Sequence, residues 1–202
     1  MGKQIGIKKK IQGHTNTDLD GDGQRESIAI SKALDKENIE LIFSSPLKRA
    51  YSTVEPLARK KQKAIICSKN LIERGLGIVE GFEIGNINSA KAYEQKLILL
   101  KTAEINYRPN GGESLNDVSI RVKEFLDFLS IINIKGVVVC MTHGGVLDVL
   151  YRIIMNKALS SERKWVIPNG AFFLLERYES DFKIIKWAET NHLNTGGMLD
   201  EY

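Results

Sequence analysis

The chain has 202 residues, 43% of them apolar, with two cysteines and a net charge of +4 spread along its length. That much apolar material fills a substantial core without metal or disulfide staples, which excludes a disordered or fibrous chain and fits one domain over residues 1–202. The mild, dispersed charge excludes a nucleic-acid partner recruited by a basic face. No run approaches the roughly 18 uninterrupted apolar residues of a membrane span, and the basic start is not followed by a signal-peptide core. The expectation is a soluble, cytoplasmic protein with no membrane partner.

Residues 1–17 carry no helical or strand period and read as loop. A helix capped by Asp20 follows, with Ile30, Ala33 and Leu34 at helical spacing, and stops near Asn38. A strand over 39–43 leads to a second helix, for which Ser45 is the expected N-cap and Pro46 the first helical residue. Its end falls near Lys61, so that Arg59, Lys60, Lys61 and Lys63 complement the helix dipole. A short strand covers 64–67. The stretch 73–85, with Gly75, Gly77, Gly81 and Gly85, reads as a long connection of the kind that carries function. Helical character returns over 90–103. After the turn at 109–112, Ser114 caps a helix whose apolar stripe is Val118, Val122, Phe125, Leu126 and Leu129. A strand over 137–141 is followed by a helix burying Val146, Val149, Leu150, Ile153 and Ile154. Two final strands, 171–176 and 182–187, are joined by a polar turn.

Strands alternating with helices predict a three-layer α/β/α sandwich around a mostly parallel sheet, with no internal repeat or linker. Cys67 and Cys140 both lie in apolar strand-like runs and are expected to be reduced and buried. The acidic run Asp18 to Gly23 opens like a calcium loop, but position twelve is Ala29 where a bidentate glutamate is needed, so it reads as a capping turn. A serine hydrolase lacks its G-x-S-x-G elbow, and three scattered histidines match no common zinc signature.

Ligands of an open α/β sheet bind beyond the carboxyl ends of its strands, where Arg49 and His143 both fall. An arginine fork matches phosphate oxygens, and a histidine supplies a further donor or a charge. Together they point to a phosphate or phosphoryl site. Arg49 alone would be an ordinary exposed helix arginine, and His143 alone a satisfied buried one.

Five segments, taken in order, carry a family resemblance. They are Gln12-Gly13-His14-Thr15 with Leu19 and Gly23; Ser44-Ser45-Pro46-Leu47-Lys48-Arg49-Ala50 with Thr53; Glu73 with Gly77, Glu80 and Gly81; Gly111-Gly112-Glu113-Ser114; and Thr142-His143-Gly144. In order and spacing they resemble the histidine phosphatase superfamily, also called phosphoglycerate mutase-like, over nearly the whole chain. The resemblance implies phosphoryl transfer from a small phosphomonoester through a phosphohistidine, with phosphatase chemistry expected over mutase chemistry in a chain this short. It implies catalytic roles for Glu73, as the acid that protonates the leaving oxygen, and for His143. Arg49, Gln12, Gly13 and Gly144 are the implied substrate-binding residues, with Glu113 in a supporting role. No metal or other cofactor is expected, since arginines and histidines supply the positive charge.

The departure from the family lies at the nucleophile. The chain holds only His14, His143 and His192, and none is preceded by arginine and followed by glycine. By the resemblance, that motif and the apolar strand before it fall at or ahead of Met1. Two expectations follow: a true start upstream, or a phosphate-binding pseudoenzyme without its nucleophile. The cost of leaving interior strands unpaired favours the first. Residues 80–103 and 157–169 should wall the pocket, and they carry no signature of a particular substrate or oligomeric state.

Overall fold

The computed structural model describes residues 10–82, 94, 97–98 and 101–193. Three parallel strands, β1 (Ile39–Ser44), β2 (Ile65–Cys67) and β3 (Val137–Met141), form a sheet in the order β2-β1-β3. On one face lie helices α1 (Gly21–Ala33) and α2 (Lys48–Lys61), and on the other α3 (Leu115–Ile131), with α4 (Gly144–Ile154) packed on α3. The strand period of two divides β3 between the two cores. Val137, Val139 and Met141 pack on the cluster of Ile39, Ile42, Val54, Leu57 and Ala58, while Val138 and Cys140 pack on that of Phe43, Leu71 and Phe125. The expected layers are therefore present.

The sheet is nevertheless less continuous than expected. The last two strands, β4 (Phe172–Tyr178) and β5 (Asp181–Glu189), pair antiparallel with each other and form a separate two-stranded sheet among the described residues. The polar turn between them contains Glu179 at φ 55°.

The helix boundaries show where local signals prevail and where tertiary contacts override them. Asp20 caps α1 by accepting from the Gly23 N–H at 2.8 Å, although the helix ends at Ala33 and not near Asn38. Asp22 is paired with Arg25, so two of the acidic residues of the calcium-like run serve the helix start. Ser114 and Asp117 form a reciprocal capping box at the start of α3. The predicted cap of α2 is a correction. The helix begins at Lys48 with Leu47 in the N-cap position and no side-chain cap; the Ser45 hydroxyl accepts from the Leu47 N–H at 3.3 Å, just ahead of the helix, and lies 2.7 Å from a histidine ring nitrogen. At its other end the cations grip the turn that follows α1 as well as the dipole: Lys60 pairs with Asp35 at 2.8 Å, and Lys61 donates to the carbonyls of Asp35 and Glu37. In α4 the buried position that the apolar pattern misses is Arg152, which meets Asp148 at 2.8 Å and the carbonyls of Ala158 and Ser161.

Cys67 is exposed, contrary to expectation, since β2 is an outer strand three residues long. Cys140 is half-buried with its side chain in the α3-side core. The glycine-rich connection contains a 3₁₀ turn, Gly77–Val79, and the predicted helix over 90–103 falls mostly outside the described residues. Among the described residues no helix is long and apolar enough to cross a membrane.

Candidate active site

The carboxyl ends of β1 and β3 lie side by side and each hands the chain to a helix. Ser44 and Ser45, at the end of β1, are fully buried. His143 follows β3 as the N-cap residue of α4, 8% exposed, with its Nε2 2.7 Å from Ser45 Oγ. Thr142 fixes the approach by donating its hydroxyl to the Leu71 carbonyl at 2.7 Å. Burial first, then the positive charges of Arg49, Arg121 and His14, push the His143 imidazolium down to about 3, so the ring is neutral at physiological pH.

Arg49 sits in the first turn of α2 and reaches across to the loop at 13–15. Its Nη1 donates to the Thr15 carbonyl and its Nη2 to the Gly13 carbonyl, both at 2.9 Å. Gly13 is held at φ 49°, and a Cβ there would collide with the Glu80 carboxylate, so glycine is required on both counts. Glu80 Oε1 accepts the backbone N–H groups of His14 and Leu76, each at 2.9 Å. The loop that orients Arg49 is thus fastened to the loop that carries Glu73.

Glu73 is 9% exposed. Its Oε1 accepts from the Arg74 N–H at 2.8 Å and its Oε2 from the Gly145 N–H at 3.3 Å, in the first turn of α4 where the helix dipole favours a carboxylate. A Cβ on Gly145 would stand 2.5 Å from Glu73 Oε1, so this glycine makes room for the acid. Gly144 is the buried first residue of the same helix.

Two residues absent from the predicted set organise the floor. Arg121 donates Nε to Glu113 Oε1 at 2.9 Å and Nη2 to Glu113 Oε2 at 3.1 Å, while its other contacts are the carbonyls of Asn70 and Glu73. Glu113 Oε2 also accepts from the Gly75 N–H at 2.8 Å. Its place is therefore that of a half-buried anchor for the Glu73 loop. The second addition is His14, whose Nε2 lies 2.6 Å from the Glu73 carbonyl, which makes that nitrogen the donor. Arg74 turns the other way, its guanidinium held by the carbonyls of Glu113 and Thr102, and burial lowers its pKa.

Of the predicted residues, Arg49, Glu73, His143, Gly144 and Gly13 meet at this place. Gln12 is exposed, and its carbonyl closes a turn with the Thr15 N–H. His192 lies elsewhere, stacked on Phe172 with centroids 3.9 Å apart and bonded to the Gly170 carbonyl. Arg121 could have been found from its spacing, since Ser114, Val118, Arg121 and Phe125 occupy one helical seam. Among the described residues no cluster of three or more His, Cys, Asp or Glu could hold a metal ion. What the site offers is two arginines, two imidazoles, a helix N-terminus and the carboxylates of Glu73, Glu80 and Glu113, at the carboxyl ends of parallel strands.

A family model for the histidine phosphatase superfamily (branch 1) matches residues 4–190. Curated relatives include phosphoglycerate mutase-like protein 4 of Arabidopsis thaliana, 28% identical over 95% of this chain and 83% of that one. Phosphoserine phosphatase 1 of Hydrogenobacter thermophilus is 26% identical over 91% of this chain and 86% of its own. Among solved structures, mycobacterial glucosyl-3-phosphoglycerate phosphatase shares the fold with a TM-score of 0.74 at 23% identity, covering 90% of this chain and 92% of that one.

Proposed function

The chain belongs to the histidine phosphatase superfamily, and on the geometry of its site we propose that it is the phosphoryl-binding body of a small-molecule phosphomonoester phosphatase. The observation that carries this is geometric: buried His143, with Nε2 2.7 Å from Ser45 Oγ, stands at the start of the helix whose Gly145 N–H holds Glu73, with the charges of Arg49 and Arg121 acting on its ring. A protein concentrates cations about a buried ring where an anion is to be received. The relatives named as phosphatases support hydrolysis over intramolecular transfer.

In the proposed reaction Arg49 orients the phosphoryl oxygens from the first turn of α2. His143, held by Ser45, donates a hydrogen bond that strengthens as negative charge moves onto those oxygens. Glu73 serves as the acid, protonating the departing alkoxide so that it leaves as an alcohol. The phosphoryl group passes to a histidine of the Arg-His-Gly kind and then to water, which regenerates the imidazole. None of the chain's three histidines stands in that motif.

The test is thermal unfolding with inorganic phosphate. A ligand at 100 times its Kd adds about 2.7 kcal/mol of stability, and Arg49→Ala should remove that gain while leaving the phosphate-free midpoint within a few degrees. Equal stabilisation of both proteins, or of neither, overturns the assignment.

A further inference from the structure

A general acid works only while its carboxyl group is held within a fraction of an ångström of its productive place. Glu73 is held at both ends. At the carboxyl end Oε1 accepts the Arg74 N–H and Oε2 the Gly145 N–H, at 2.8 and 3.3 Å. At the backbone end the Glu73 carbonyl receives two side chains, the His14 ring through Nε2 at 2.6 Å and Arg121 through Nη2 at 3.3 Å. The two ends are joined by a rigid link. The Glu73 carbonyl and the Arg74 N–H belong to one planar peptide unit, so whatever fixes that carbonyl also fixes the direction of the N–H and the carboxylate that the N–H holds.

His14 is placed to be that fixture. Its main chain is secured apart from its ring: the N–H goes to Glu80 Oε1 at 2.9 Å, and the carbonyls on either side, of Gly13 and Thr15, receive the Arg49 guanidinium, both at 2.9 Å. Beneath the ring lies Gly75, where a Cβ would stand 3.0 Å from His14 Cε1, so the glycine leaves the room that the imidazole takes up. Nε2 also lies 3.7 Å from Glu113 Oε2, the oxygen that accepts the Gly75 N–H. With a carbonyl as its partner, the neutral ring carries its proton on Nε2. An imidazole has few side-chain torsions to freeze, so it spans the gap between the loops at a lower entropic cost than lysine or arginine.

We propose that His14 is a positioning residue for Glu73: its Nε2–H holds the Glu73–Arg74 peptide unit in the orientation that presents the carboxylate to the leaving group. The ring serves the acid and not the phosphate clamp, because Arg49 is oriented by backbone carbonyls that stay in place when the ring is removed. This role rests on the proposed function only in calling Glu73 the acid. The orientation of the carboxylate is independent of it.

The experiment reads the Arg74 and Gly145 amide protons of the intact chain by NMR. His14→Ala should shift both toward the positions they take in Glu73→Ala, where the acceptor is gone. His14→Gln, whose Nε2 stands as many bonds from Cβ as the ring nitrogen does, should keep both near the wild type, and His14→Asn, one bond shorter, should resemble His14→Ala. Inorganic phosphate is then titrated against each His14 variant by thermal unfolding, and its affinity should stay within about fivefold of wild type, the most that an exposed charge contributes. Unmoved amide signals in His14→Ala, equal shifts in His14→Ala and His14→Gln, or loss of phosphate stabilisation together with the shift, which marks collapse of the whole loop, overturns the proposal. So does a wild-type His14 ring whose nitrogen signals place the proton on Nδ1. A wild type that phosphate does not stabilise counts against the proposed function alone, and the amide signals still decide the role of His14.

Discussion

Acid should weaken this protein specifically through His143. The folded ring holds its proton only near pH 3, against an ordinary value of 6.5 in the unfolded chain. Because the folded value is the lower one, the unfolded chain takes up a proton between those limits that the native state refuses. The stability tied to this residue is therefore fully present above pH 6.5 and is lost as pH falls toward 3. Each pH unit inside the window is worth about 1.4 kcal/mol, so moving from pH 7 to pH 5 costs about 2 kcal/mol. For a chain of this length that is a fall of about 4–8 °C in the unfolding midpoint. His143→Gln keeps a hydrogen-bonding partner for Ser45 without the titration, and the comparison is of the two proteins' changes between the two pH values by calorimetry. The wild type should lose about 2 kcal/mol more than the variant, since the remaining titratable groups change alike in both. Saturating phosphate should shrink the difference, because an anion in the pocket favours the imidazolium. Equal losses would refute the neutral, buried histidine and the cation cluster inferred from it.

Other outcomes concern the walls of the site. Arg121→Met leaves Glu113 without its two-pronged partner and should destabilise by about 3 kcal/mol, measured by urea unfolding. Adding Glu113→Gln should recover part of that loss, a coupling absent if the pair is merely adjacent. Gly145→Ala should displace the Glu73 carboxylate and cost about 1–2 kcal/mol, while Gly81→Ala, where a Cβ has open space but φ is 82°, probes backbone strain alone. Of the two cysteines, Cys67 should react with an aromatic disulfide reagent at pH 8 and Cys140 should not, because burial pushes its thiol up to about 12. Cys67→Ser should abolish the fast phase, and its survival would place the reactive thiol elsewhere.

What could be read from the sequence was local. The caps Asp20 and Ser114 act on backbone groups three residues on, and both are present as expected, while the returning bond from Asp117 that completes a box at Ser114 was not read. Arg49 and His143 were visible because each falls within a few residues of the end of an apolar strand run. Ser45 was half-read for the opposite reason: as a serine before proline it has the local preference of a cap and does accept from the Leu47 N–H, but the helix starts only at Lys48 and a histidine 98 positions later shares the hydroxyl. Glu113 is bound by Gly75, 38 positions earlier, so its role as an anchor has no local signature. Cys67 and Cys140 sit in similar apolar runs, and only strand order, which composition does not encode, makes the first an outer position. The division of the sheet has the same origin, since two short apolar runs near the end of the chain specify a hairpin before they specify what it joins.

The carboxylate of Glu80 joins the loop carrying Gly13 to the loop carrying Glu73, taking one backbone N–H from each side. In the proposed reaction the first loop aims the phosphate clamp and the second carries the proton donor. One side chain therefore sets the spacing between the clamp on the phosphoryl oxygens and the acid that meets the leaving oxygen, whatever group that oxygen bears. Recognition of the bond to be broken is in this way separated from recognition of the rest of the molecule, and the outer walls can change to suit a new substrate without disturbing the distance on which the chemistry depends.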